Sequence, residues 1–229
     1  MTEHGRELAA HGGQEAFMQN GHSGGDCSVR TVDHVAGLSA LFDDSVNIVT
    51  FSRPLDAAIV GDAQLALGEP GLQVLTSVTP SDGPGVLMAQ MKELPYLTRE
   101  AHFWVEVLAE LTGCGLVGFR LVRLDAAMCP RFHVDKLTVR VVCAFAGNGT
   151  EYVAEHDVDR RWLGHAASGL DDEASGLLRT GARIRRAGTG DVVLLKGEAW
   201  PGNAGRGAVH RSPSATSTAP RLVMTLDPL

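Results

Sequence analysis

From Leu116 onward the chain alternates short apolar, β-branched runs with turn residues: Leu116–Leu124, Arg131–Phe145, Thr150–Val153, Ala182–Arg186, Asp191–Leu195, Ala208–Arg211 and Arg221–Leu226. Short strands at this spacing predict an antiparallel sandwich or barrel. Ahead of them, Val46–Phe51 and Leu72–Val78 read as two further strands or short apolar elements, stopped by Arg53-Pro54 and by Pro80. Thr98–Leu111 predicts a helix: Thr98 can cap it, Phe103, Val107, Leu108 and Leu111 share one face, and Gly113 ends it. His102 and Trp104 lie within that helix and are expected to pack. Val158–Leu178 predicts one or two short helices inserted between strands. Residues 1–28 show neither period and few large apolar groups, so they predict a disordered tail. The expected class is α+β, mainly β: one domain over 29–229, with flanking strands and helices at 29–114 and the core barrel at 115–229.

Composition narrows the function. The 229 residues are 44% hydrophobic, enough for one sizeable core. Twenty Lys and Arg stand against 27 Asp and Glu, so no basic stripe is available for a nucleic-acid backbone. No run approaches the roughly 20 apolar residues that cross a bilayer, and no charged start with an apolar run marks a secretory leader. Cys27, Cys114, Cys129 and Cys143 form no CxxC pair and suit a reducing compartment, so a cytoplasmic protein is expected.

Two motif matches mislead. Gly113-Cys-Gly115-Leu-Val-Gly118 fits the dinucleotide-binding glycine pattern, but it ends a helix and opens a strand where that motif does the reverse. Asn148-Gly149-Thr150 fits a glycosylation acceptor, yet it reads as a hairpin turn between two strands. P-loop and HExxH patterns are absent from the sequence.

The chemistry gathers in Cys129-Pro-Arg-Phe-His133-Val-Asp135-Lys-Leu-Thr-Val-Arg-Val-Val-Cys143-Ala-Phe145. Read as a strand, His133 and Asp135 share a face, about 6–7 Å apart, above Leu137, Val139, Val141, Cys143 and Phe145. A polar pair on an apolar face costs free energy unless something binds it, and a metal ion is the natural partner. Two imidazoles and a carboxylate on one side of Fe(II) leave positions for dioxygen and a chelating co-substrate. His156 and His165 lie in the polar insertion; His210, in Gly207-Ala-Val-His-Arg-Ser-Pro213 after the strand Gly190–Lys196, is the expected third ligand. Arg221 opens the last strand, where its guanidinium suits the carboxylate of a 2-oxo acid. Lys196, Glu198, Trp200 and Asn203, in the loop leading to His210, with Glu151 and Arg211, are further candidates for substrate contact.

His133-x-Asp135, His210 and Arg221, with Gly190-Asp-Val-Val-Leu-Leu before the second histidine, resemble the Fe(II)/2-oxoglutarate-dependent dioxygenases of the double-stranded β-helix (jelly-roll, cupin-like) fold. The resemblance implies that His133, Asp135 and His210 hold iron and that Arg221 binds the distal carboxylate of 2-oxoglutarate. Many members carry Arg-x-Ser where this chain has Arg221-Leu222-Val223. Cys-Pro-Arg-Phe-His-Val-Asp, Gly-Asp-Val-Val-Leu-Leu-Lys-Gly-Glu-Ala-Trp and Val-His-Arg-Ser-Pro are similar to those of an uncharacterised bacterial family, a domain of unknown function. The implied activity is hydroxylation of a small molecule or a protein side chain. Two other readings compete: a cupin-like protein that holds zinc for sensing or homeostasis, and a metal-free jelly-roll interaction or sugar-binding domain. A zinc site using Cys129 or Cys143 is the rival ligand set, against Cys143 as a buried hydrophobe and Cys129 as a turn residue.

Overall fold

Apolar side chains at every second position draw each run into a strand with one or both faces buried. The computed structural model describes residues 27–164 and 169–229. The expected tail through residue 26, with His4, His11 and His22, and also His165, lie outside the described residues. In chain order the elements are β1 (Val29–Val32), β2 (Ile48–Phe51), α1 (Ala57–Leu67), β3 (Gln73–Val78), α2 (Gly85–Gln90), α3 (Pro95–Thr112), β4 (Val117–Leu124), β5 (Val139–Ala146), β6 (Glu151–Tyr152), β7 (Arg185–Arg186), β8 (Val192–Lys196), β9 (His210–Arg211) and β10 (Arg221–Pro228). The architecture is mainly β with helices.

Seven strands form one sheet in the order β1-β2-β8-β5-β10-β4-β3, and β7-β6-β9 form a smaller one. Only the β1–β2 pairing is parallel among the described strands. β1, β2 and β3, which precede residue 115, therefore enter the same sheet as the strands that follow it. One face of that sheet packs on the helices: Val141, Cys143 and Phe145 of β5 and Leu222, Met224 and Leu226 of β10 join Trp104 and Leu108 of α3. The other face contributes Val142, Ala144, Val193 and Val223 to a second cluster, shared with Tyr152 of the small sheet.

α3 begins at Pro95 and ends at Gly113, whose φ of 70° is the left-handed C-cap that a glycine adopts without strain. Thr98 lies inside the helix and returns its hydroxyl to the Leu94 carbonyl, so it is no cap. The cap comes from α1: Asp62 Oδ2 accepts the Tyr96 and Leu97 amides at 2.7 and 2.9 Å. The buried stripe is Leu97, Ala101, Trp104, Val105 and Leu108, whereas Phe103 stands exposed. Val107, Leu108 and Leu111 of the expected face do pack on the core, while Phe103 turns outward and Trp104 and Val105 take the buried positions.

Two further expectations need correcting. Strand β5 starts only at Val139, because residues 131–138 run irregularly, with the isolated His133–His210 bridge as their one strand-type pairing among the described residues. The turn at Asn148 is no hairpin: β6 pairs with β7 and β9, so this turn carries the chain from one sheet to the other. Gly149 is needed there because a Cβ would overlap the Ala187 carbonyl. Residues 160–162 of the inserted region, and 155–157 just before it, are single 3-10 turns. Among the described residues no helix is long and apolar enough to cross a membrane.

Candidate metal centre

Irregular backbone at 131–138 lets a polar segment lie against β9. His133 N donates to the His210 carbonyl and His210 N to the His133 carbonyl, each at 3.0 Å, a closed antiparallel bridge. Such a bridge sets the two side chains on one side, and the imidazole centroids stand 4.4 Å apart with planes at 50°. Asp135 follows, its carbonyl accepting the Glu198 amide at 2.9 Å. The neighbouring Gly197 permits this approach, since a Cβ there would overlap the Leu137 carbonyl. The ligand atoms of His133, Asp135 and His210 all lie within 4.8 Å of one another.

The protons are arranged for a cation. His133 Nδ1 lies 2.9 Å from the Arg131 carbonyl and His210 Nδ1 lies 3.0 Å from the Ala208 carbonyl. Carbonyls only accept, so each Nδ1 carries the hydrogen and each Nε2 is the ring atom left for a ligand. Burial, then the neighbouring His133, pulls the His210 imidazole down to about 4, so it is neutral at pH 7. Its Nε2 faces Asp135 Oδ2 at 3.5 Å with no hydrogen bond between them. Asp135 Oδ2 is accordingly buried without a hydrogen-bond partner. Its other oxygen accepts from Arg140 Nη1 at 3.0 Å, while Arg140 grips Asp227 through two bonds of 2.7 and 2.8 Å. Burial opposes the charge on Arg140, yet its two carboxylate partners raise its pKa overall.

A cavity between the two sheets is lined by both histidines together with Arg120, Arg140, Arg211 and Arg221. Arg221 is 2% exposed, and burial lowers its guanidinium to about 10, so it is still cationic at neutral pH. Among the described residues it touches no carboxylate: Nε donates to the Asn148 carbonyl and Nη1 to Ser212 Oγ at 2.7 Å. Ser212 lies two residues past His210, so a hydroxyl does stand beside Arg221, delivered from another part of the chain than an Arg-x-Ser motif would use.

Residues 32–227 match the family model described as "Protein of unknown function (DUF1826)". The chain belongs to this family. No curated protein matches the sequence. Among solved structures, the dioxygenase for auxin oxidation of rice is similar at 14% identity and a TM-score of 0.46, over 85% of this chain and 77% of that one. HygX from Streptomyces hygroscopicus, with iron bound, is similar at 10% and 0.46, over 80% and 82%. A 2OG-Fe(II) oxygenase family oxidoreductase from Burkholderia pseudomallei stands at 11% and 0.45, over 85% and 89%. Scores of this size transfer no chemistry, which has to be argued from the residues of the DUF1826 chain.

The remaining substrate candidates are dispersed. Lys196 ends β8 on the helix-facing side, its amine on the Asp43 carbonyl at 2.9 Å and over the Trp200 ring. Trp200 packs on Phe42, Glu198 pairs with Lys136, and Asn203 bonds the Gly197 carbonyl. None of these four lines the cavity, which corrects the expectation placed on their loop. Asn203 satisfies a carbonyl of the loop itself and Lys196 reaches the Asp43 carbonyl before β2, which turns these polar groups away from the metal centre. Glu151 is also absent from the cavity wall and pairs with Arg186 and Arg211. Arg211 does line it, stacked over Phe132 at 4.3 Å. Cys143 is buried among the helix-facing residues and belongs to no metal-ligating group among the described residues; Cys129 lines the cavity rim but is outside the ligand cluster.

The apolar face expected beneath His133 and Asp135 is the wrong one. Val139, Val141, Cys143 and Phe145 turn to the helices, while the metal centre stands over the face of Arg140 and Val142. The irregular segment resets the alternation. Sequence reasoning missed Arg140, although a charge inside the apolar run of β5 signals a buried partner. It also missed the contact of Ser212 with Arg221, for which no local signal exists.

Proposed function

We propose that this DUF1826 chain is a double-stranded β-helix oxygenase that uses Fe(II) and 2-oxoglutarate, with His133, Asp135 and His210 as iron ligands and Arg221 as the co-substrate's carboxylate partner. The observation that carries the reading is Asp135 Oδ2, buried, unpartnered and facing Nε2 of His210. An orphaned carboxylate oxygen of this kind costs about 1–3 kcal/mol, and a divalent cation removes the cost. Two imidazoles and one carboxylate, with no thiolate, form the donor set that suits non-haem Fe(II) and leaves positions free for other ligands.

When bound, iron and the 2-oxo acid supply dioxygen activation coupled to oxidative decarboxylation. The chain's own groups prepare the place. The Arg131 and Ala208 carbonyls fix the imidazole tautomers, and Arg140 holds Asp135 in its orientation. Arg221, desolvated and lacking a carboxylate, offers a charge-assisted grip to one end of a dicarboxylate, with Ser212 Oγ beside it. Val142 and Val223 keep the cavity wall apolar between these groups, which limits water.

Anaerobic purification followed by metal analysis and a succinate assay tests the reading. Iron binding, slow conversion of 2-oxoglutarate to succinate, and loss of roughly tenfold or more in 2-oxoglutarate affinity in Arg221→Met with metal content intact are the expected results. Zinc occupancy with no succinate formed overturns the oxygenase in favour of a zinc-binding protein.

A further inference from the structure

The side chains around the metal cavity include four arginines and no acidic residue. Two of the arginines are neutralised: Arg140 by Asp227, and Arg211 by Glu151, Asp172 and Glu173. Arg221 is the buried cation already assigned to the co-substrate. Arg120 is left over. It projects from β4, is exposed, and its one polar contact among the described residues is the Met128 thioether at 3.5 Å. A thioether is a weak acceptor that an oxyanion displaces readily.

Charge then distinguishes two anions. A divalent ion with one carboxylate ligand keeps one positive charge and Arg221 adds another, so a dicarboxylate cancels both and leaves Arg120 uncompensated. The β4–β10 register sets Arg221 opposite Leu124 and Arg120 opposite Thr225. Four residues of strand separate the roots of the two side chains by about 13 Å, room for two anionic groups on one cavity.

We infer that Arg120 recognises an oxyanion, a carboxylate or a phosphate, on the small molecule that this site oxidises. The inference rests on the oxygenase reading for the word "oxidises", and its anion site is measurable without turnover. The full chain is loaded with Mn(II) and saturating 2-oxoglutarate, then treated with phenylglyoxal, and modification of each arginine is followed by peptide mass spectrometry. Propionate and inorganic phosphate are the probes, against chloride at equal ionic strength.

The expected result is that 2-oxoglutarate shields Arg221 and leaves Arg120 reactive, while one of the probes slows Arg120 by about threefold or more. The stronger probe identifies carboxylate or phosphate as the recognised group. Arg120→Met, an exposed change checked by its melting temperature, is expected to lose calorimetric probe binding and to keep its 2-oxoglutarate affinity. The inference is overturned if neither probe shields Arg120, if 2-oxoglutarate alone shields it as fully as Arg221, or if Arg120→Met weakens 2-oxoglutarate and probe in parallel. Failure of 2-oxoglutarate to shield Arg221 sinks the co-substrate assignment instead, and the probe contrast at Arg120 still decides the anion site.

Discussion

Replacing Asp135 by asparagine separates the stability of the metal-free fold from its capacity for metal. In the wild type, Asp135 Oδ2 and His210 Nε2 oppose each other at 3.5 Å without a hydrogen bond, at a site where both residues are largely buried. Asparagine places an NH₂ donor there and keeps a carbonyl for Arg140, which retains both bonds to Asp227. Removing the orphaned acceptor is worth about 1–3 kcal/mol, and weakening the charge-assisted Arg140 bond costs about 1 kcal/mol. The metal-free variant is therefore expected to gain about 1 kcal/mol, a rise of roughly 2–4 °C in Tm for a chain of this size. Metal reverses the order. A ligand held only by the folded state adds about 2.7 kcal/mol at a hundredfold excess over its Kd, so Mn(II) is expected to raise the wild-type Tm and leave Asp135→Asn unmoved. Calorimetry of chelator-treated protein, with and without Mn(II), reads both effects. A metal-free variant that melts below wild type, or one that gains as much from Mn(II), refutes the reasoning.

Arg140→Lys keeps a charge but loses the fork that holds Asp135 and Asp227 together, so Mn(II) affinity is expected to fall by about tenfold in a calorimetric titration; an unchanged Kd shows that Asp135 needs no such support. Burial pushes the Cys143 thiol up to about 12, so maleimide labelling at pH 8 is expected at exposed Cys129 and not at Cys143 until the chain is unfolded. Burial raises the Glu151 carboxyl, but the bonds from Arg186 and Arg211 outweigh it and hold the group below its usual value of 4.5. A carboxyl depressed in the folded state stabilises above its unfolded pKa and loses that contribution as pH falls through the lowered one. Glu151→Gln is thus expected to melt below wild type at pH 7, with the gap closing below about pH 4; a gap constant with pH contradicts the pairing.

Local chemistry carried much of the fold. The runs that became β2, β3, β4, β8 and β10 are legible because an apolar, β-branched segment between turn residues has few ways to bury itself other than as a strand. Gly113 was legible for the same kind of reason: the left-handed C-cap is a property of one residue. So was the pairing of His133 with Asp135, two residues apart and on one side of an extended backbone. The phase of the long segment was not, because one irregular stretch at 131–138 undoes an alternation that assumes an unbroken strand.

Distance along the chain marks where such reading stops. His210 meets His133 through a two-bond bridge between segments whose approach depends on how the small sheet sits over the large one. Arg140 reaches Asp227 only because β5 and β10 are neighbours in one register, and Ser212 reaches Arg221 only because the loop after β9 folds back over β10. Residue types and their spacing can name the partners a buried charge or imidazole needs. Which of the available partners arrives is settled by sheet pairing and by close approaches such as Gly197 against Leu137, cooperative outcomes of packing the whole chain that no single segment encodes.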